Sequence, residues 1–206
     1  MRIDADAGAD PDEEVVTYLD GVAASAAALA RGLRTYPDDE IAFLDAVAEV
    51  KRRESACDEQ LQTLQVALGR RGDPELLRLF LLLDEVPNRA ETVLRTLAAT
   101  RPAVPESVLV DLRRMGDLTV STTERIRGVA ADYALDATDA DVEGEVLDVR
   151  VLEGQCDELK YDVLDRLTHV DDPARTVLLA LVRDLDGVPD AVEDAADHLL
   201  YLSSGD

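Results

Sequence analysis

The sequence contains no tryptophan, two cysteines, two lysines and two histidines in 206 residues, and aromatic side chains make up 3% of it. With so few rings, the core has to be built from Leu, Val and Ala, which suits helices better than sheets. No Cys-x-x-Cys occurs and no His lies near a Cys, so the chain does not resemble a thiolate zinc site. Two cysteines in an intracellular chain are read as reduced core residues. Glu-x-x-His is also missing, which disfavours a ferritin-like di-iron oxidase. His169 and His198 each follow an Asp by four residues near an expected helix end, where contact with the helix dipole accounts for them. The phosphate-cradling, dinucleotide and nucleophile-elbow motifs GxxxxGK[ST], GxGxxG and GxSxG are absent.

Positive charge is scarce. Lys and Arg total 21 against 45 Asp and Glu, for a formal net charge of −24. Nucleic acid binding needs a basic face, so it is excluded as an expectation, as is an anionic membrane surface. Apart from Lys51 and Lys160, every one of those 21 cations is Arg. An acidic, lysine-poor surface suits high internal salt, where self-repulsion is screened. A merely soluble acidic protein remains the alternative. Long hydrophobic runs are lacking too: "LFLLL" at 79–83 and "VLLALV" at 177–182 are far too short to span a bilayer. The N-terminal "MRIDADAGADPDEE" has neither a basic nor an apolar signal-peptide region, so a cytoplasmic location is expected.

What the chain does have is helical periodicity. Apolar spacing and Asp-Pro starts predict helices over 11–34, 37–69, 74–99, 105–133, 139–169 and 173–202. Asp-Pro occurs at 10–11, 73–74 and 172–173, and Pro37 and Pro105 occupy similar opening positions. The six helices fall into two triplets. "ESACDE" at 54–59 and "EGQCDE" at 153–158 share Glu-x-x-Cys-Asp-Glu, and each ends the same distance before an Asp-Pro. "DEVPNRAE" at 84–91 matches "DGVPDAVE" at 186–193 in Asp, Val, Pro and Glu. The predicted fold is all-α, a duplicated three-helix unit, with residues 1–100 and 101–206 as the two copies and "TRPAV" at 100–104 as the seam.

The repeated segments bring carboxylates to one helical face. Glu54 and Asp58, Glu153 and Asp157, and Asp186 and Asp190 are each four apart. On an acidic surface such pairs can simply be solvated. Cys57 and Cys156 point the other way, because Cys is usually buried and the neighbouring Asp then borders a buried face. Carboxylates gathered between two helices need a cation, and oxygen-only sites suit Mg, Mn, Fe or Ca. A mid-helix proline, Pro87 or Pro189, is expected to kink the third helix of each copy, either to wrap the bundle or to open room for an ion.

On these motifs the chain resembles the PhoU-like phosphate-transport regulators, in particular the branch found beside PiT-type phosphate transporters in archaea and bacteria. That resemblance implies two pseudo-symmetric three-helix bundles with Glu/Asp-x-x-x-Asp motifs on the second and third helices. It rests on "ESACD", "EGQCD", "DGVPD" and the following "EDAAD" at 193–197. It implies two metal sites, Glu54/Asp58/Asp84/Asn88 and Glu153/Asp157/Asp186/Asp190, for Fe, Mn, Zn or Mg. It also implies a regulator without catalysis that contacts a membrane phosphate transporter or its signalling proteins, as a monomer or homo-oligomer. Asn88 departs from the pattern, so the second site is expected to bind the tighter of the two. The prolines inside both third-helix motifs also depart from it. A structural interaction module with solvated carboxylates and a metal-dependent hydrolase are the competing readings. The hydrolase lacks any base beyond the carboxylates themselves.

Overall fold

The computed structural model describes residues 11–135, 141–168 and 174–204, and among these every regular element is a helix. They are α1 (Pro11–Thr35), α2 (Glu40–Arg71), α3 (Pro74–Leu83), α4 (Glu85–Thr100), α5 (Glu106–Ala134), α6 (Val142–Thr168) and α7 (Arg175–Ser203).

Local chemistry explains the ends. Asp73 accepts from the Leu76 amide at 3.0 Å, and Pro74 follows at the first helical position, where its missing N–H costs nothing. Gly72 closes α2 at φ 76, a left-handed conformation that suits glycine, and its N–H returns to the Leu68 carbonyl at 3.0 Å. The expected start of the second helix at Pro37 needs correcting. Pro37 lies in a turn, and the cap is Asp39, whose side chain accepts from the Ala42 amide at 3.0 Å. The Asp-Pro starts expected at 10–11 and 172–173 involve Asp10, Asp172 and Pro173, which lie outside the described residues, as does His169.

A second correction concerns the helix expected over 74–99. It is two segments, α3 and α4, interrupted at Asp84. Pro87 sits in the first turn of α4, where it cannot donate to the carbonyl four residues back and its ring crowds that carbonyl. Taken as one kinked helix, α3 and α4 leave six helices among the described residues. Pro189 occurs at the matching place inside a continuous α7.

Each triplet packs around its own second helix, α1 and α2 with α3–α4, and α5 and α6 with α7. The two then pack on each other through α1 against α5 and through α3–α4 against α7, and the buried apolar residues form one continuous cluster. α1 shows how the pattern becomes packing. Val15, Tyr18, Leu19, Val22, Ala26, Leu29, Ala30 and Leu33 recur every three or four residues, and all are buried. The α1–α5 crossing is close because it uses small residues: a Cβ on Gly116 would lie 3.3 Å from the Ala30 Cα. Ion pairs Arg34–Asp117 and Arg127–Asp20 tie the same helices at the surface, each at 2.8 Å.

Candidate functional site

The second copy brings its predicted residues together. Glu153 and Asp157 sit one turn apart on α6, and Asp186 and Asp190 one turn apart on α7. Glu153, Asp157 and Asp190 each offer a carboxylate oxygen, and these oxygens lie within 4.8 Å of one another. Around an octahedral ion with ~2.1 Å bonds, adjacent ligands stand about 3.0 Å apart and opposite ones about 4.2 Å, so the three side chains would draw closer together to share a hard cation. Asp186, one turn before Asp190 on α7, is coupled to the group by charge. It is 5% exposed, and its Oδ1 is buried and accepts no hydrogen bond from the protein. An orphaned, buried carboxylate oxygen is costly unless something positive or donating reaches it.

The electrostatics are those of crowded acids. Burial pushes the Asp186 carboxyl up to about 6, with Asp190 and Asp157 adding to the rise and Lys160 opposing it. Burial, followed by the charges of Glu193, Asp157 and Asp190, pushes Glu153 up to about 7. Asp190 and Glu193 are also raised, first by burial. Such shifts mark groups that resist carrying their charge unaided.

Two cations missing from the sequence reading attend this cluster. Lys160, on α6, donates to Asp157 and to Asp186 Oδ2, the latter at 2.8 Å, and its side chain is 15% exposed. Burial, the largest single influence, disfavours the ammonium, but the hydrogen bonds and charges of Asp157 and Asp186 together outweigh it and hold its pKa above the usual lysine value. Arg89 arrives from α4. A Cβ on Gly187 would lie 2.2 Å from Arg89 Nη1, so the glycine leaves a notch in α7 for the guanidinium. Its charge opposes the rise of Asp190. A sequence signal for Lys160 did exist: it is one of two lysines in the chain and follows Asp157 by three residues, hence on the same helical face. No local signal announced Arg89, because its contact is made across copies.

The first copy is looser. Glu54 and Asp58 on α2 face Asp84 at the α3–α4 break, and burial followed by the Asp58 charge pushes Asp84 up to about 6. Asp84 Oδ1 is buried and without a hydrogen bond from the protein, as Asp186 Oδ1 is in the other copy. Asn88 turns its amide nitrogen inward, donating to the Asp84 carbonyl at 2.9 Å and to Asp84 Oδ2 at 3.2 Å. Among the described residues, only the second copy forms a tight three-carboxylate group. Cys57 and Cys156 back the two clusters as fully buried free thiols. Burial pushes Cys57 up to about 12 and Cys156 higher still, so both rest as neutral thiols. His198, at 9% exposure, holds the Glu75 carbonyl at 2.9 Å and lies outside both clusters.

This architecture is the six-helix PhoU-like fold. The phosphate transport system regulatory protein PhoU from Streptococcus pneumoniae has a TM-score of 0.74 and 12% identity, covering 95% of this chain and 94% of that one. A PhoU-like protein from Shewanella oneidensis has a TM-score of 0.78 and 14% identity, covering 92% and 97%. In sequence, the chain is 25% identical to UPF0111 protein PH1389 of Pyrococcus horikoshii over 169 residues, 77% of this chain and 78% of that protein. No family model matches. Among the described residues no helix is long and apolar enough to cross a membrane.

Proposed function

We propose that this protein is a non-catalytic regulator of phosphate transport whose carboxylate clusters hold hard metal ions. The observation that carries the metal reading is the pair of buried, unpartnered oxygens, Asp84 Oδ1 and Asp186 Oδ1, at matching positions of the two copies. Each is surrounded by further carboxylates, and an all-oxygen set of this kind suits Mg, Mn or Fe better than Zn. Glu153, Asp157, Asp186 and Asp190 would form one site, and Glu54, Asp58 and Asp84 the other, with Asn88 beside it. A bound ion supplies the positive charge that lets these acids stay ionised together at neutral pH.

The regulatory reading comes from the fold shared with the Streptococcus pneumoniae regulator. Its partner would be a membrane phosphate transporter or an attached signalling protein, met on the cytoplasmic side, with the PiT branch as the finer assignment. The surplus of acid over Lys fits a protein adapted to high salt. A structural helical module without metal is the second reading. It is favoured by Lys160, which already neutralises part of the second cluster.

Elemental analysis of tag-free protein purified in molar salt separates the two. Stoichiometric Fe, Mn, Mg or Zn that falls in Asp157→Ala plus Asp190→Ala is the expected result. No metal in either protein, even after each ion is added, favours the structural module. Phosphate uptake by cells carrying the same double substitution then tests the regulatory role.

A further inference from the structure

The second cluster contains a feature that the first does not. Counting from the paired cysteines, Lys160 stands where the first copy has Leu61, a core residue 5% exposed. The lysine arm runs along α6, ends between Asp157 of its own helix and Asp186 of α7, and is itself mostly covered. It therefore takes up one oxygen of each acid that a metal at this place would need. Glu153, Asp157 and Asp190 still present an oxygen triad beside it, and Asp186 Oδ1 remains buried without a donor. One ammonium, even with the Arg89 guanidinium nearby, does not balance four carboxylates, so the arrangement attracts a more highly charged cation while part of its ligand set is engaged.

We propose that the Lys160 ammonium is a tethered cation closing the second carboxylate cluster, and that a divalent metal ion enters only by displacing it. This rests on the metal-binding reading above and adds to it a competition internal to the chain. The arm has somewhere to go. Its Nζ lies 4.8 Å from the centre of the Tyr161 ring, and Tyr161 is 62% exposed. A swing outward thus keeps a cation–π contact while the ammonium regains water. Metal occupancy is then read out as the position of a charged arm at the surface of α6, and the first cluster, with Leu61, has no such arm.

Two measurements test this with Mn2+ as the probe, in tag-free protein at molar KCl. The first uses the wild type alone and acetylation by an activated ester, followed by mass spectrometry. Lys51 is exposed and serves as the internal reference. Lys160 is expected to react far more slowly than Lys51 without metal, and at least about tenfold faster once Mn2+ saturates the protein. The second compares Mn2+ affinity, read as free ion by electron paramagnetic resonance, in wild type, Lys160→Gln, and Lys160→Gln plus Asp190→Asn. Lys160→Gln is expected to bind about tenfold or more tightly than wild type, and the added Asp190→Asn to remove the gain.

Equal Mn2+ affinity in wild type and Lys160→Gln, or Lys160 acetylation unmoved by bound Mn2+, overturns the competition while leaving the metal reading intact. No Mn2+ binding by either protein overturns both.

Discussion

Replacing Lys160 by Leu, the residue at the same place in the first copy, isolates what the ammonium does for the fold. The side chains of Lys160 and Asp186 are 15% and 8% exposed, and that of Asp157 38%. Removing one partner of a buried ion pair costs about 3–5 kcal/mol, because the remaining charge is left in a poor environment. Asp157 is partly solvated and the Leu side chain adds apolar contact, so about 2–4 kcal/mol is expected near pH 8. The loss must depend on pH. Once Asp186 takes up a proton there is no stranded charge, and near pH 5 the cost should fall to about 1 kcal/mol. Urea unfolding followed by far-ultraviolet circular dichroism, at one fixed KCl concentration without divalent metal, measures both values. A loss below about 1 kcal/mol near pH 8 would show that the ammonium contributes little. A loss of the same size at both pH values would show that its role is packing and not charge.

Three further outcomes follow from the same geometry. Asp84, Asp186 and Glu153 hold protons more tightly folded than unfolded, at about 6, 6 and 7 against ordinary values of 3.8, 3.8 and 4.5. The stability they contribute is complete below the ordinary values and is lost as pH rises through about 6–7, so the metal-free urea midpoint should fall over that window, and fall less in Asp186→Asn. Gly187→Ala places a methyl group 2.2 Å from Arg89 Nη1, the mobile end of a flexible side chain. Stability should change by no more than about 1 kcal/mol, while the Asp190 carboxyl pKa, read by carbon-13 NMR, rises as the guanidinium leaves. Raising KCl from ~0.1 M to molar levels should lift the thermal midpoint by about 5–10 °C as repulsion among 45 acids is screened, and a midpoint that does not move would refute the salt-adapted reading.

The fold was legible because its signals are local and repeated. Asp73-Pro74 makes the cap it promises, and the apolar spacing of α1 becomes its buried face. The duplicated Glu-x-x-Cys-Asp-Glu predicted two buried cysteines beside two acidic turns, and both are present. The break at Asp84 was underread: Pro87 was expected to bend one helix, whereas here it ends one hydrogen-bonded segment and opens the next. The cations at the second cluster were harder to see. A carboxylate spacing states which acids share a face, and it is silent on which bases reach that face from another helix. Arg89 packs into a notch left by Gly187, where its charge opposes the rise of the Asp190 pKa, an approach made only when the copies dock. The inward turn of the Asn88 amide likewise depends on the Asp84 carbonyl and carboxylate at the α3–α4 break and not on the identity of residue 88 alone.

The two departures from the repeat belong together. The first cluster has three carboxylates, Glu54, Asp58 and Asp84, with Asn88 and Leu61 uncharged; the second has four, Glu153, Asp157, Asp186 and Asp190, with Lys160. Asp in place of Asn adds one negative charge and Lys in place of Leu adds one positive, so these two differences cancel, with Arg89 a further positive charge beside the second cluster alone. If this balance is what packing between helices tolerates, Asp190→Asn and Lys160→Leu should compensate each other. Asp190→Asn alone removes a repelling acid and should cost little or stabilise slightly; Lys160→Leu alone should cost the amount worked out above; the double substitution, which rebuilds the first copy's pattern, should recover about 1–2 kcal/mol beyond additivity. A double-mutant cycle on urea midpoints near pH 8 gives the coupling directly. Coupling within about 0.5 kcal/mol of zero would mean that the two differences arose independently, and that Lys160 serves Asp157 and Asp186 without regard to Asp190.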